Sequence, residues 1–330
     1  MAGRVAAASL FLLLLLHGCP GTPRPVQLKY KAAGNSPEIL AVYEPWFGHP
    51  GHISVGYSSH DPAELRRQME DAKRMGISGF VVDWYGNRDP FNGETYTLMQ
   101  PIAADEKFTI AMMYDETNVE DGATDEAIAE FTMFHDRYLT AAASGQEAYL
   151  TYLGRPVIFV FPKGGYTDWN KVRDATRRWN PAPLLIDENL PGKYADAFDG
   201  YYAWISPGSK GWAADGSNWG GDYLSNFYST MAAKYPDKII VGGAWAQFND
   251  SKASWGLNRH IAARCGQTFR DTFNFWRQYF PSGQVIPFML VETWNDYEEG
   301  SDMEPGLPGC GGQPAPTSLE DEEETATGPQ

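Results

Sequence analysis

The chain is poor in three things, and each shortage removes a class of function. It has three cysteines, Cys19, Cys265 and Cys310, in 330 residues. None stands at a Cys-x-x-Cys spacing, so neither a zinc site nor a disulfide framework is expected, and the metal expectation is none. Positive charge is scarce, with 26 Lys and Arg against 42 Asp and Glu and a net charge of −16. Nucleic-acid backbones are held by clustered Lys and Arg, and no basic stripe occurs, so no nucleic-acid partner is expected. The acidic excess serves solubility. No Gly-x-Gly-x-x-Gly follows the first apolar run, which takes away the main support for a dinucleotide cofactor, and no cofactor is expected. Gly-x-Ser-x-Gly is also absent, and beyond His17 the only histidines are His49, His52, His60, His135 and His260. A polysaccharide esterase, which would need a nucleophilic Ser with a His partner, or a lyase has little to stand on.

Long apolar runs are missing too, with one exception. Ala6 through Leu16 follows Arg4 and has the length of a signal-peptide core, too short to span a bilayer comfortably. Residues 1–19 are therefore read as an export signal, placing the protein outside the cell, in a periplasm or on the outer cell surface. Leu16-His17-Gly18-Cys19 resembles a bacterial lipoprotein cleavage box, which would tether the protein to a membrane through a Cys19 lipid; the alternative is plain removal of the signal. Cys265 and Cys310 are then left to pair or not in an oxidising compartment. Asn249-Asp250-Ser251 fits the glycosylation sequon, which matters only in a eukaryotic host. Residues 20–37 are rich in Pro, Gly and polar residues and read as a linker. From 306 to 330, apolar residues nearly vanish and the acidic run Glu320–Glu324 appears, so this segment reads as a disordered tail. Between them, 38–305 is one compositionally even block, read as a single domain and a monomer.

Aromatic residues are abundant: 11 Trp, 18 Tyr and 17 Phe. Indole N–H groups need partners, so a surplus of Trp fits a cleft that stacks flat rings on sugars. The block alternates short apolar runs with amphipathic stretches. Candidate strands are 39–43, 79–83, 108–113, 156–160, 184–186, 200–204, 239–243 and 286–291, continuous runs suited to strands buried on both faces. A helix starts at Asp61-Pro62, with Leu65, Met69, Ala72 and Met75 at helical spacing, and others are expected near 124–143, 168–179, 219–235 and 268–280. Eight strands alternating with helices predict an α/β fold, a (β/α)8 TIM barrel.

In such barrels the active site lies at the C-terminal ends of the strands. Those positions are polar and aromatic here: Tyr43, Glu44 and Trp46 after the first run; Asp83, Trp84 and Tyr85 after the second; Tyr114 and Asp115 after the third. Lys163 follows the fourth run and Glu188 the fifth, Trp204 and Trp245 follow later runs, and Glu292, Trp294 and Asn295 the last. Together they describe a cleft that grips a polyol between aromatic plates. Singly, each carboxylate reads as a helix cap and each Trp as rim packing. The sharpest cluster is Asp296-Tyr297-Glu298-Glu299-Gly300. Glycoside hydrolysis uses two carboxyl groups across the scissile bond, and Asp296 and Glu299, three residues apart, would be aimed the same way by one turn. The competing readings are a solvated acidic loop and a Ca²⁺ site of Asp296, Glu298, Asp302 and Glu304, although the EF-hand spacing is absent.

The segment Trp294 to Pro305 resembles the strand-eight signature of glycoside hydrolase families 71 and 99, (β/α)8 barrels acting on α-glucans and α-mannosides. Trp294 through Glu299 fits the Trp-Asn-Asp-Tyr-x-Glu pattern of the α-1,3-glucanases. Asn295, Glu299, Gly300, Glu304 and Pro305 fit the Asn-Glu-x-x-Glu-Gly and Glu-Pro pattern of the endo-α-mannosidases, with Asp296 standing where that family has Glu. The segments 79–86 and 43–48 resemble the second and first strands of these families. The resemblance implies Glu299 as general acid/base and Asp296 as its partner. That partner would either deprotonate a sugar 2-OH or, with the shorter Asp, activate a water. The expected function is hydrolysis of an α-linked oligo- or polysaccharide. The alternative is a non-catalytic carbohydrate-binding barrel, against which the retention of both Asp296 and Glu299 speaks.

Overall fold

The computed structural model describes residues 26–117, 120–163 and 165–308. Eight parallel strands close on themselves, and each predicted apolar run has its strand. They are β1 (Glu38–Tyr43), β2 (Gly79–Trp84), β3 (Thr109–Asp115), β4 (Arg155–Phe161), β5 (Leu184–Glu188), β6 (Gly200–Tyr202), β7 (Ile239–Ala244) and β8 (Phe288–Val291). Each pairs with the next, and β8 closes on β1 with Val291 opposite Ala41. The expected parallel barrel is present.

Six α-helices surround it among the described residues: α1 (Pro62–Arg74), α2 (Pro90–Glu106), α3 (Ala123–Phe134), α4 (Trp169–Thr176), α5 (Gly221–Lys234) and α6 (Gln267–Asn274). Asp61 caps α1 by accepting from the Ala63 N–H, with Pro62 in the first turn, as its sequence predicts. The helix expected over 124–143 is shorter, ending at Phe134 in a wide π-type turn over His135–Leu139. Helix α2 was not expected. Its start is well marked, since Asp89 accepts from the Phe91 and Asn92 amides and Pro90 opens the helix. Its buried face, however, includes Asn92, Thr95 and Gln100, which blurs the apolar stripe. Strict alternation also fails: no helix lies between β5 and β6 or after β8 among the described residues.

The domain is wider than its expected limits. Within the segment read as a linker, Leu28 is buried and its N–H donates to Gln284 Oε1 at 2.8 Å; Lys29 N–H donates to the Pro236 carbonyl and Ala32 N–H to the Val285 carbonyl. These residues are docked under the N-terminal ends of β7 and β8. At the other end Leu307 is buried beyond the expected limit of 305. The export signal, Cys19, Cys310 and the acidic run of the tail lie outside the described residues. Cys265 is disulfide-bonded.

Residues paired across parallel strands share a face, and neighbours along a strand take opposite faces. Trp84 pairs with Tyr114, and its ring packs against Tyr96 of α2 and Phe134 of α3 at centroid distances of 5.6 and 5.1 Å. That file therefore faces the helices. Asp83 and Asp115, each one step along, face the other way.

Candidate active site

The C-terminal ends of the strands gather a ring of acids. Glu44 follows β1, Asp83 is the last but one residue of β2, Asp115 ends β3, Glu188 ends β5, and Glu292 follows β8; Glu44, Asp83, Asp115 and Glu292 are all buried. Burial, which disfavours the ionised form, is the first cause of every shift. It holds the Glu44 carboxyl well above the usual range, helped by the charges of Asp83, Asp296, Glu299 and Asp115. Asp83 is raised well above its usual value by burial and then by Asp115, with the Tyr85 hydroxyl and Lys163 pulling the other way. Asp115 is raised by burial against its hydrogen bonds to Thr117. Glu188 is pushed up to about 7 by burial, and neighbouring Asp187 likewise to about 7. Glu292 is raised well above its ordinary value by burial and by Glu188, the Ile205 amide offsetting part of this. Room for its side chain comes from Gly243, where a Cβ would lie 2.5 Å from Glu292 Oε1.

Several of these groups have polar atoms with no protein partner: Glu44 Oε2, Asp83 Oδ1 and the Trp46 indole N–H. A buried polar atom left unpaired costs about 1–3 kcal/mol. At the barrel mouth these atoms leave hydrogen-bonding capacity open to a polar ligand or to water.

Above the ring sits the loop after β8, held as a tight turn by Asp296. Its Oδ1 accepts from the Glu298 N–H at 3.0 Å and the Glu299 N–H at 2.8 Å, while its own N–H donates to Thr293 Oγ1 at 2.8 Å. Burial and then Glu299 keep the Asp296 carboxyl well above the usual range. Glu299 stands nearer the rim. Its Oε1 accepts from the Trp255 indole N–H at 2.9 Å and lies 4.0 Å from Arg259 Nη2, and its carbonyl accepts from the Asn249 N–H at 2.6 Å. Glu298 turns away to His52 Nδ1 at 2.7 Å and the Ile53 N–H at 3.2 Å. Glu304 accepts from Tyr57 and Tyr297 hydroxyls and pairs with Arg67. With these acids committed in different directions, and no metal-type cluster of His, Cys, Asp and Glu among the described residues, the calcium reading finds no ligand set.

The aromatic candidates divide. Trp46 lies at the mouth, stacked on His52 at 4.6 Å and 9°, with Tyr85 and Trp255 each 6.4 Å away. Trp204 is half-buried against Phe161 at 5.0 Å; its backbone N–H donates to the Tyr223 hydroxyl, which donates to Asn189, whose amide donates to Glu188. Five expected cleft residues are instead core. Tyr43 packs on Phe80 and donates to Gln68 of α1 at 2.7 Å. Trp84 and Tyr114 face the helices, Tyr114 against Phe131 of α3 and Trp169 of α4. Trp245 is fully buried and donates to the Trp219 carbonyl, and Trp294 is fully buried against Phe80. Asn295 is structural support, bonded to the Glu44 backbone through both ends of its amide.

Lys163, Glu188 and Glu292 stand at strand ends in the sequence, which places them in the cleft without giving any of them a role. His52 and Trp255 come from loops with no period to mark them, and nothing in the sequence singles them out. A separate cavity of about 690 Å³ lies among Lys210, Trp219, Asp222, Gln278 and Tyr279 and contains none of the barrel-mouth acids.

No family model matches the sequence, and no curated protein matches it. Solved structures do match. An endo-α-mannosidase of glycoside hydrolase family 99 from Bacteroides thetaiotaomicron superimposes with a TM-score of 0.64 at 15% identity, over 88% of this chain and 98% of that one. The chain has a family 99-like barrel. The complex of that mannosidase with bis-tris propane gives a TM-score of 0.61 at 17% identity, over 82% and 88% of the two chains. A glycoside hydrolase-like protein gives 0.60 at 13% identity, over 86% and 90%. At these identities the likeness to the family 99 barrel is one of fold.

Proposed function

We propose that the protein is a glycosidase acting on α-linked glycans of the α-mannoside or α-glucan type, with Glu299 as proton donor and Asp296 as its partner. One observation carries this reading: Asp296 and Glu299 share a single turn, joined by the Glu299 N–H to Asp296 Oδ1 bond, directly above a ring of buried acids with unsatisfied oxygens. Burial and the neighbouring Glu299 raise the Asp296 pKa, the direction that strengthens a carboxylate as a base. Glu299, nearer the rim, protonates the departing glycosidic oxygen. Asp296 removes a proton from the water that attacks the anomeric carbon, so one water is added across one broken C–O bond. Removal of the sugar 2-OH proton by Asp296 is the other route, and the configuration of the first product separates the two. The inner acids hold the sugar hydroxyls, with Trp46 and Trp204 as flanking rings.

The test is a screen of the purified protein against α-mannans and α-glucans with product analysis. Turnover lost in Glu299→Gln supports the reading. Binding without turnover in the native protein would make it a carbohydrate-binding barrel instead.

A further inference from the structure

Trp255 sits on a short excursion between two antiparallel segments, Phe248–Asn249 and His260–Ile261, that follow β7. The excursion is firmly built. Asp250 is fully buried and accepts from the Leu257 N–H at 3.0 Å, the Arg259 N–H at 2.6 Å and Arg259 Nε at 2.6 Å. Gly256 leaves no room for a side chain, since a Cβ there would lie 1.8 Å from the Asp250 carbonyl oxygen. The Asn249 N–H to Glu299 carbonyl bond then locks this frame to the loop carrying the two acids.

A frame this well anchored has every means of burying its aromatic residue, yet Trp255 remains 45% exposed and Leu257 beside it 73%. The Trp255 ring meets Trp46 edge-on at 6.4 Å and 79°, so the two rings form a corner rather than a stack. Its indole N–H is spent on Glu299 Oε1. The other carboxyl oxygen, Oε2, is left to carry a proton to a substrate.

We propose that Trp255 is the platform of the leaving-group subsite and the positioning residue of the Glu299 carboxyl. This rests on the glycosidase reading above. The sugar whose bond breaks lies inward over the acid ring, and a proton donor at the rim must face the departing oxygen, so the sugar leaving with that oxygen lies outward. There the exposed indole offers a flat apolar face to its C–H bonds, while the N–H fixes the rotamer of the acid. The subsite takes a neutral pyranose, which makes the enzyme one that needs a sugar on the leaving side.

The experiment compares the full chain with Trp255→Phe and Trp255→Ala on two kinds of probe: α-manno- and α-gluco-oligosaccharides, and α-mannosyl and α-glucosyl fluorides. A fluoride leaves without a leaving-group sugar and with little need of a proton. Trp255→Ala is expected to lose about 10²-fold in kcat/KM on the oligosaccharide and under about threefold on the fluoride, at an unchanged melting temperature. Trp255→Phe recovers KM through its ring but not kcat, because the N–H is gone. Equal losses on both probes, or no loss on either, overturn the subsite while leaving the glycosidase reading intact. A native protein that cleaves none of the probes overturns both.

Discussion

Asn295 holds Glu44 by its backbone at both ends: Oδ1 accepts the Glu44 N–H at 2.7 Å, and Nδ2 donates to the Glu44 carbonyl at 3.0 Å. The pair joins the loop after β8 to the end of β1, and it aims the Glu44 carboxyl at the acid ring. Asn295→Ala leaves two buried backbone groups unpaired, at about 1–3 kcal/mol each. We expect a clear fall in melting temperature together with weaker glycan binding, read by thermal denaturation and titration. Unchanged values for both would show that the backbone of Glu44 finds other partners.

Glu299→Gln keeps the shape of the side chain and its contact with Trp255 but removes the transferable proton. Turnover should fall about 10²–10⁴-fold with the melting temperature unchanged. A rate within a few-fold of the native protein removes Glu299 from the chemistry.

Asp296 has two jobs that substitutions separate. Asn preserves an oxygen for the Glu298 and Glu299 amides and abolishes the base, so Asp296→Asn should fold normally and turn over poorly. Asp296→Ala also frees those two amides and should destabilise the protein by about 1–3 kcal/mol. Equal melting temperatures for the two variants would mean that the turn does not depend on Oδ1.

Trp46 and Trp84 should differ in binding. Trp46 is buried but stands at the mouth beside His52, Tyr85 and Trp255, so its replacement by Ala weakens glycan binding beyond what its loss of stability explains. Trp84 is packed among Tyr96, Phe134 and Tyr138, so its replacement costs about 3–5 kcal/mol with little change in affinity beyond that due to unfolding. Fluorescence titration and thermal melting on both variants decide it.

Acid should stabilise the free protein over part of the pH range. Glu188 and Asp187 are pushed up to about 7, and Asp302 to about 6, mainly by burial. Between about pH 4 and 7 the folded chain therefore holds protons that the unfolded chain has released, and stability falls as pH rises, by about 1.4 kcal/mol per pH unit for each extra proton held. The melting temperature should be higher at pH 5.5 than at 7.5, and Glu188→Gln should flatten part of that slope. A melting temperature that rises from pH 5.5 to 7.5 contradicts the burial of these acids.

The barrel was legible because its strands are unbroken apolar runs, which survive any detail of loop geometry. Helix α2 escaped because a buried face that includes Asn92, Thr95 and Gln100 looks exposed to a reading that counts only apolar residues. At the site, the strand-end acids gather at one barrel mouth, whereas the rings next to them in sequence are buried in the core. Tyr43 and Glu44, Asp83 and Trp84, and Tyr114 and Asp115 were each assigned together to the cleft, although adjacent positions along an extended chain take opposite sides. Once the carboxylates face inward, the ring beside each of them must face the helices, and it does. Trp255 had no such rule to reveal it, because its place depends on Asp250 and Arg259 folding the excursion back over Glu299.

The seam between the first and last strands has a consequence for the order in which the protein comes into being. Glu44 waits 251 positions for Asn295, and Tyr57 and Arg67 wait nearly as long for Glu304. During synthesis the inner acids at the ends of β1, β2 and β3 emerge early, but the turn bearing Asp296 and Glu299 emerges last. A chain ended before Asp296 thus holds the acids at the ends of β1, β2 and β3 but neither residue of the pair proposed for proton transfer, so on that reading it is inert.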